Sequence, residues 1–131
     1  MKLFNISVAL AAIAFSAIST TAVAAPIQKF SNAALQAAQR SGKPVLVDIH
    51  ADWCPTCRRQ APTIEAIARD PAFSKLVILK LDFDAQVAER TALGVRKQST
   101  LIAYNGRNER TRATGIVDPA QIRALAATAL R

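Results

Sequence analysis

The chain has 131 residues, two of them cysteines and one histidine, and its 17 lysines and arginines against nine acids leave a net charge of +8. That length supports one hydrophobic core and excludes a multidomain enzyme, and so few cysteines exclude the disulfide scaffold of a small secreted domain. The basic residues from Arg58 to Arg131 form no continuous tract, no helix stripe and no pattern interleaved with aromatics, so they read as a solvated surface and no nucleic-acid partner is expected.

The first residues have the layout of a secretory signal peptide. Lys2 supplies the positive charge, Ile6 to Ile18 is an uncharged apolar run, and Ala22-Val23-Ala24 supplies small residues for cleavage before Ala25. The run is shorter than the ~20 residues that cross a bilayer. The reading is therefore a signal peptide over 1–24, one domain over 25–131, and export to the periplasm.

Within that domain, Phe30 to Arg40 is Ala-rich and helix-forming, with Ser31 or Asn32 as N-cap and Ser41-Gly42-Lys43-Pro44 as its stop. Val45 to Ile49 is a short apolar, β-branched run that reads as a buried strand. Pro55 to Arg69 is helical, with Ile64 and Ile67 on one face, Pro62 inside it and Asp70-Pro71 ending it. Lys75 to Phe83 reads as a second buried strand, and Ala85 to Leu93 as a short helix closed by Gly94. Leu101 to Tyr104, a turn at Asn105-Gly106 and Arg107 to Thr114 read as a hairpin. Asp118-Pro119 then caps a last helix reaching Leu130. Alternation first and a hairpin last predict an α/β fold: a mixed sheet of four to five strands with helices on both faces.

Both cysteines lie in Trp53-Cys54-Pro55-Thr56-Cys57, where a buried strand passes into a helix. A bridge across so small a loop removes little denatured-state entropy, so the pair is poorly placed as a staple. With Cys54 at the N-cap and Pro55 at N1, the amides of Thr56 and Cys57 are expected to point at the Cys54 sulfur and lower its pKa below the free value of ~8.5. Cys57, one turn inward, is expected to be the less exposed of the two. The chemistry implied is thiol–disulfide exchange: Cys54 attacks a disulfide, and Cys57 displaces the captured partner. Cys57 then needs a base, and Asp48, a carboxylate on an apolar strand, is the candidate. His50 reads as a packed or hydrogen-bonded strand residue, and Trp53 either shields Cys54 or contacts substrate. A zinc site lacks a second C-x-x-C.

These residues resemble the thioredoxin family over essentially the whole domain from Phe30 to Arg131. The resemblance rests on Val47 to Cys57, Pro62 within the helix, Lys80 in Leu79 to Asp84, Asn105-Gly106, and Gly115 before the last helix. It implies a thioredoxin-like fold and a protein-disulfide oxidoreductase, with Cys54 attacking, Cys57 resolving, Asp48 as the buried acid and Lys80 beside it. Trp53, Pro55, Thr56 and Ser99 are the expected substrate contacts. The expected partners are protein dithiols and disulfides, with electrons from a membrane donor of the thiol–disulfide interchange type. A monomer is expected, with no cofactor, and reduction is the expected direction. Two departures stand out. Pro55-Thr56 occupies the place of the family's Gly-Pro, and Ser99 stands where the family carries a cis-proline. A cis bond to a non-proline residue costs ~3–4 kcal/mol, so the Gln98–Ser99 bond is expected to be trans or strained. The loss of proline also leaves open a second reading, thiolates holding copper(I) or an iron–sulfur cluster without turnover.

Overall fold

The computed structural model describes residues 24–131. Most of the expected signal segment therefore lies outside the described residues. The elements in chain order are β1 (Ile27–Lys29), α1 (Asn32–Arg40), β2 (Pro44–His50), α2 (Pro55–Arg69), a single 3-10 turn (Pro71–Phe73), β3 (Val77–Asp82), α3 (Val87–Ala92), β4 (Thr100–Asn105), β5 (Asn108–Thr114) and α4 (Pro119–Thr128). They build one five-stranded sheet in the order β1-β3-β2-β4-β5. β1, β3 and β2 run parallel, while β4 and β5 are antiparallel to their neighbours. Among the described residues, no helix is long and apolar enough to cross a membrane.

Alternation along β2 decides which face each side chain serves. Val45, Val47 and Ile49 pack with Leu35 and Ala38 of α1, and with Leu79 and Ile102 of the adjacent strands. Leu46 points the other way, into a core with Ile64 and Ile67 of α2 and Ile122 and Leu125 of α4. By the same parity Asp48 and His50 lie on the α2 side, at the end of β2 where α2 begins. This is the expected layering, with the mixed sheet covered on both faces.

Local signals account for the helix boundaries. The Ser31 hydroxyl accepts from the Ala34 amide at 3.0 Å, so Ser31, and not Asn32, is the cap of α1. Asp118 accepts from the Gln121 amide at 2.9 Å with Pro119 at the first helical position. α2 runs on through Pro62 to Arg69.

Several expected boundaries shift, each for a local reason. The second strand begins at Val77, because Lys75 and Leu76 complete the turn after Pro71–Phe73, with the Leu76 amide donating to the Phe73 carbonyl. The third helix covers only Val87–Ala92, because Asp82 caps the preceding turn through the amides of Asp84 and Ala85. The last helix ends at Thr128. In the hairpin, Asn105 still pairs with Asn108, so the turn residues are Gly106 and Arg107. Gly106 has φ +55°, and a Cβ there would lie 3.5 Å from Gly42 Cα and 3.7 Å from the Gln39 carbonyl oxygen. The hairpin tip thus seats against the end of α1 in van der Waals contact, and it is the left-handed φ of Gly106 that favours glycine there.

Candidate active site

β2 leads through Ala51-Asp52-Trp53 into α2, and Cys54 occupies the N-cap with φ −79° and ψ 114°. Its amide donates to the Ala51 carbonyl at 3.1 Å, closing the turn. Pro55 follows at N1, where its missing N–H leaves no bond unmade. The Cys57 amide donates to Cys54 Sγ at 3.1 Å. The Thr56 amide, the second expected donor, makes no such bond among the described residues. Both cysteines are free thiols.

The expected difference in exposure is absent. Cys54 and Cys57 are each 1% exposed, in a small apolar cluster with Ala51 against which Phe83 packs. Burial, and next a thiol hydrogen bond toward Cys54, push the Cys57 thiol up to about 11. Cys57 therefore stays protonated at neutral pH. Around the pair, Trp53 and Pro55 are exposed and Thr56 is half-buried. The Trp53 indole N–H donates to Asp84 Oδ2 at 2.7 Å, which fixes the ring beside the cysteine segment.

Asp48 is 4% exposed, and its Oδ1 has no hydrogen-bond partner among the described residues. Burial raises its carboxyl to about 6, against the opposing pull of His50 and Lys80. Lys80 is its register partner on β3, so the sheet sets the two side by side. Lys80 itself is exposed. Of the sequence-derived quartet, the sheet register sets Asp48 beside Lys80, and the start of α2 brings the Cys57 amide to Cys54 Sγ.

Ser99 stands in the loop immediately before β4. It is 6% exposed with φ +56°, and no described peptide bond is cis, so the Gln98–Ser99 bond is trans. Its amide donates to the Ile49 carbonyl at 2.9 Å, its hydroxyl to the Gln98 carbonyl at 2.6 Å, and its own carbonyl accepts from the Gly115 amide at 2.9 Å. Gln60, unremarked in the sequence, completes this loop. It is fully buried on α2, and its Nε2 donates to the Ser99 carbonyl at 3.2 Å and the Ile116 carbonyl at 2.8 Å. A polar residue on the inner face of α2, one turn beyond Cys57, was the available signal.

No group of three or more His, Cys, Asp or Glu side chains that could hold a metal occurs among the described residues. The two cysteine sulfurs are the soft donors of the site.

The thioredoxin family model matches residues 24–128. The chain belongs to the thioredoxin family. It is 38% identical over 74 residues to a thioredoxin of Chlamydia muridarum, covering 56% of this chain and 71% of that one. With a thioredoxin of Streptomyces clavuligerus the identity is 42% over 67 residues, covering 51% of this chain and 61% of that one. Among solved structures, Trxlp from Edwardsiella tarda superposes with a TM-score of 0.73 at 40% identity, covering 76% of this chain and 98% of that one. The five-stranded mixed sheet is thus the thioredoxin-like fold, and the Cys54–Cys57 pair is consistent with the thioredoxin family's thiol–disulfide oxidoreductases.

Proposed function

We propose that this thioredoxin-family protein is an exported enzyme that reduces disulfides of protein substrates, with Cys54 as nucleophile and Cys57 as resolving cysteine. The observation that carries the reading is the Cys57 amide aimed at Cys54 Sγ from 3.1 Å at the start of α2. A sulfur that gains negative charge there meets an N–H donor and the positive end of the helix.

Cys54 attacks one sulfur of the substrate disulfide and forms a mixed disulfide. Asp48 takes the proton of Cys57, whose thiolate then attacks Cys54 Sγ. The bond to the substrate breaks, the substrate leaves as a dithiol, and Cys54–Cys57 remains as a disulfide. Because burial holds the Cys57 proton so firmly, resolution is the step that needs the base. Lys80 sits beside Asp48 and favours its anionic form. Exposed Trp53 and Pro55, with Thr56, form the surface a substrate meets, and Ser99 shapes the loop behind it. The adjacency of Asp48 and Lys80 supports the reducing direction, and the apolar run before Ala25 supports work in the periplasm; a monomer fed by a membrane electron donor belongs to the same proposal.

Single-cysteine variants test the chemistry. Cys57→Ser accumulates mixed disulfides with protein substrates, Cys54→Ser does not, and both lose insulin reduction. Unchanged activity in both variants would refute the assignment. Direction is read from the reduction potential of the couple, where a value near about −270 mV marks a reductant and one near about −120 mV an oxidant. Localisation is read from the N-terminus of the protein recovered from the periplasm, expected to be Ala25.

A further inference from the structure

β2 and β3 carry a charged row on the α2 side of the sheet. Asp48 and His50 alternate along β2, so both lie on that face. The parallel register places Lys80 opposite Asp48, Asp82 opposite His50, and Lys29 of β1 opposite Lys80. The row borders a pocket of about 290 Å³ lined in part by Lys29, His50, Asp52, Lys80 and Asp82. Exposure rises outward along one path: Asp48 is 4% exposed, the His50 side chain 11%, and the Asp52 side chain fully open to solvent.

A proton that Asp48 takes from Cys57 must leave before the next turnover, and few neighbours can carry it. Lysine ammonium groups donate only, which removes Lys29 and Lys80 as acceptors. The Ala85 and Asp84 amides hold the Asp82 carboxyl below the usual carboxylate range, so it is a poor proton carrier. His50 is the only histidine in the chain. Its Nε2 lies 3.2 Å from Asp52 Oδ1, the ring's single hydrogen bond among the described residues. A carboxylate oxygen accepts, so Nε2 carries the hydrogen and Nδ1 is left as an acceptor.

We propose that His50 is a proton relay for the resolving step, taking the proton of Asp48 from the neighbouring position on the same face of β2 and releasing it into the pocket beside Asp52. The inference rests on the reading of Asp48 as the base for Cys57. In each turnover Cys57 gives one proton to Asp48, His50 accepts it at Nδ1 and releases one from Nε2 to solvent, and proton exchange with solvent in the pocket restores the Nε2–H tautomer before the next cycle. The electron pair moves from the Cys57 thiolate into the new Cys54–Cys57 bond, and the substrate sulfur leaves with the pair of the broken bond.

The test separates the two chemical steps in single turnovers of the full-length chain with a small dithiol-linked disulfide as substrate. His50→Gln keeps a partner for Asp52 but cannot titrate. It is expected to form the mixed disulfide at the wild-type rate and to resolve it on the order of tenfold more slowly near neutral pH. The wild-type pH profile of resolution should contain an imidazole ionisation that the variant lacks. His50→Ala should show the same defect and recover when free imidazole is added, since its shortened side chain opens the pocket further. In an Asp48→Asn background, His50→Gln should cause no additional slowing. Resolution at the wild-type rate in both histidine variants overturns the relay, and so does slowing that imidazole fails to relieve. If the wild-type protein forms no mixed disulfide, it is the oxidoreductase reading that fails.

Discussion

Cys57 shows how one buried atom sets a pH profile. Its thiol is pushed up to about 11, mainly by burial, and the thiolate is the reactive form. In a Cys54→Ser variant, alkylation of Cys57 by iodoacetamide is therefore expected to be slow at neutral pH and to climb steadily into the alkaline range. A plateau reached below pH 8 would contradict this. Ser99 makes a second residue-scale case, since its φ of +56° lies in the left-handed region. That conformation costs an L-residue roughly 1–2 kcal/mol, and glycine is spared it. Ser99→Gly is expected to raise the urea midpoint modestly, offset in part by the lost bond to Gln98, while Ser99→Val lowers it. Sequence reasoning found Asp48 because a carboxylate among Val45, Leu46, Val47 and Ile49 stands out. It could not find the backbone twist at Ser99, because serine has no preference for positive φ, and it misjudged Cys54, because exposure at a helix start depends on Phe83 arriving from elsewhere in the chain.

At the level of elements, the strong local signals located β2, α2, the hairpin and α4. β1 went unseen for a physical reason: all three of its side chains are exposed. Its place comes from backbone pairing with β3, which leaves no hydrophobic period in the sequence. Gln60 was equally hidden, since a glutamine in a helix ordinarily faces water. Here it ties α2 to the loops before β4 and α4, through carbonyls 39 and 56 residues away. Gln60→Ala should cost about 2–4 kcal/mol in chemical denaturation, because it opens a cavity and strands the Ile116 carbonyl. Asp118→Ala should cost about 1 kcal/mol through the lost cap, with Asp118→Asn close to neutral.

For the molecule as a whole, Asp48 links function to stability. Its carboxyl lies near 3.8 when unfolded and is raised to about 6 in the fold, so the native state binds the proton more tightly. Stability is then complete below about pH 4 and falls as pH rises through about 6. The penalty above that window is about 3 kcal/mol. Asp48→Asn is expected to be more stable than the wild type by up to that amount at pH 8, with no advantage below pH 4, as read from urea midpoints. A uniform gain at both pH values would show that something other than titration is responsible. Most of the architecture was legible because alternation and capping are local, whereas the charged row beside Asp48 depends on a register that only the assembled sheet displays.

The single tryptophan of the chain stands next to Cys54 in sequence, and its indole is moored to Asp84 while 56% of the residue stays in solvent. An indole beside a sulfur pair is quenched differently by a dithiol and by a disulfide. The protein thus carries its own optical gauge: unlabelled emission should follow each turnover, and replacing Asp84 with alanine should blur that signal by letting the ring swing.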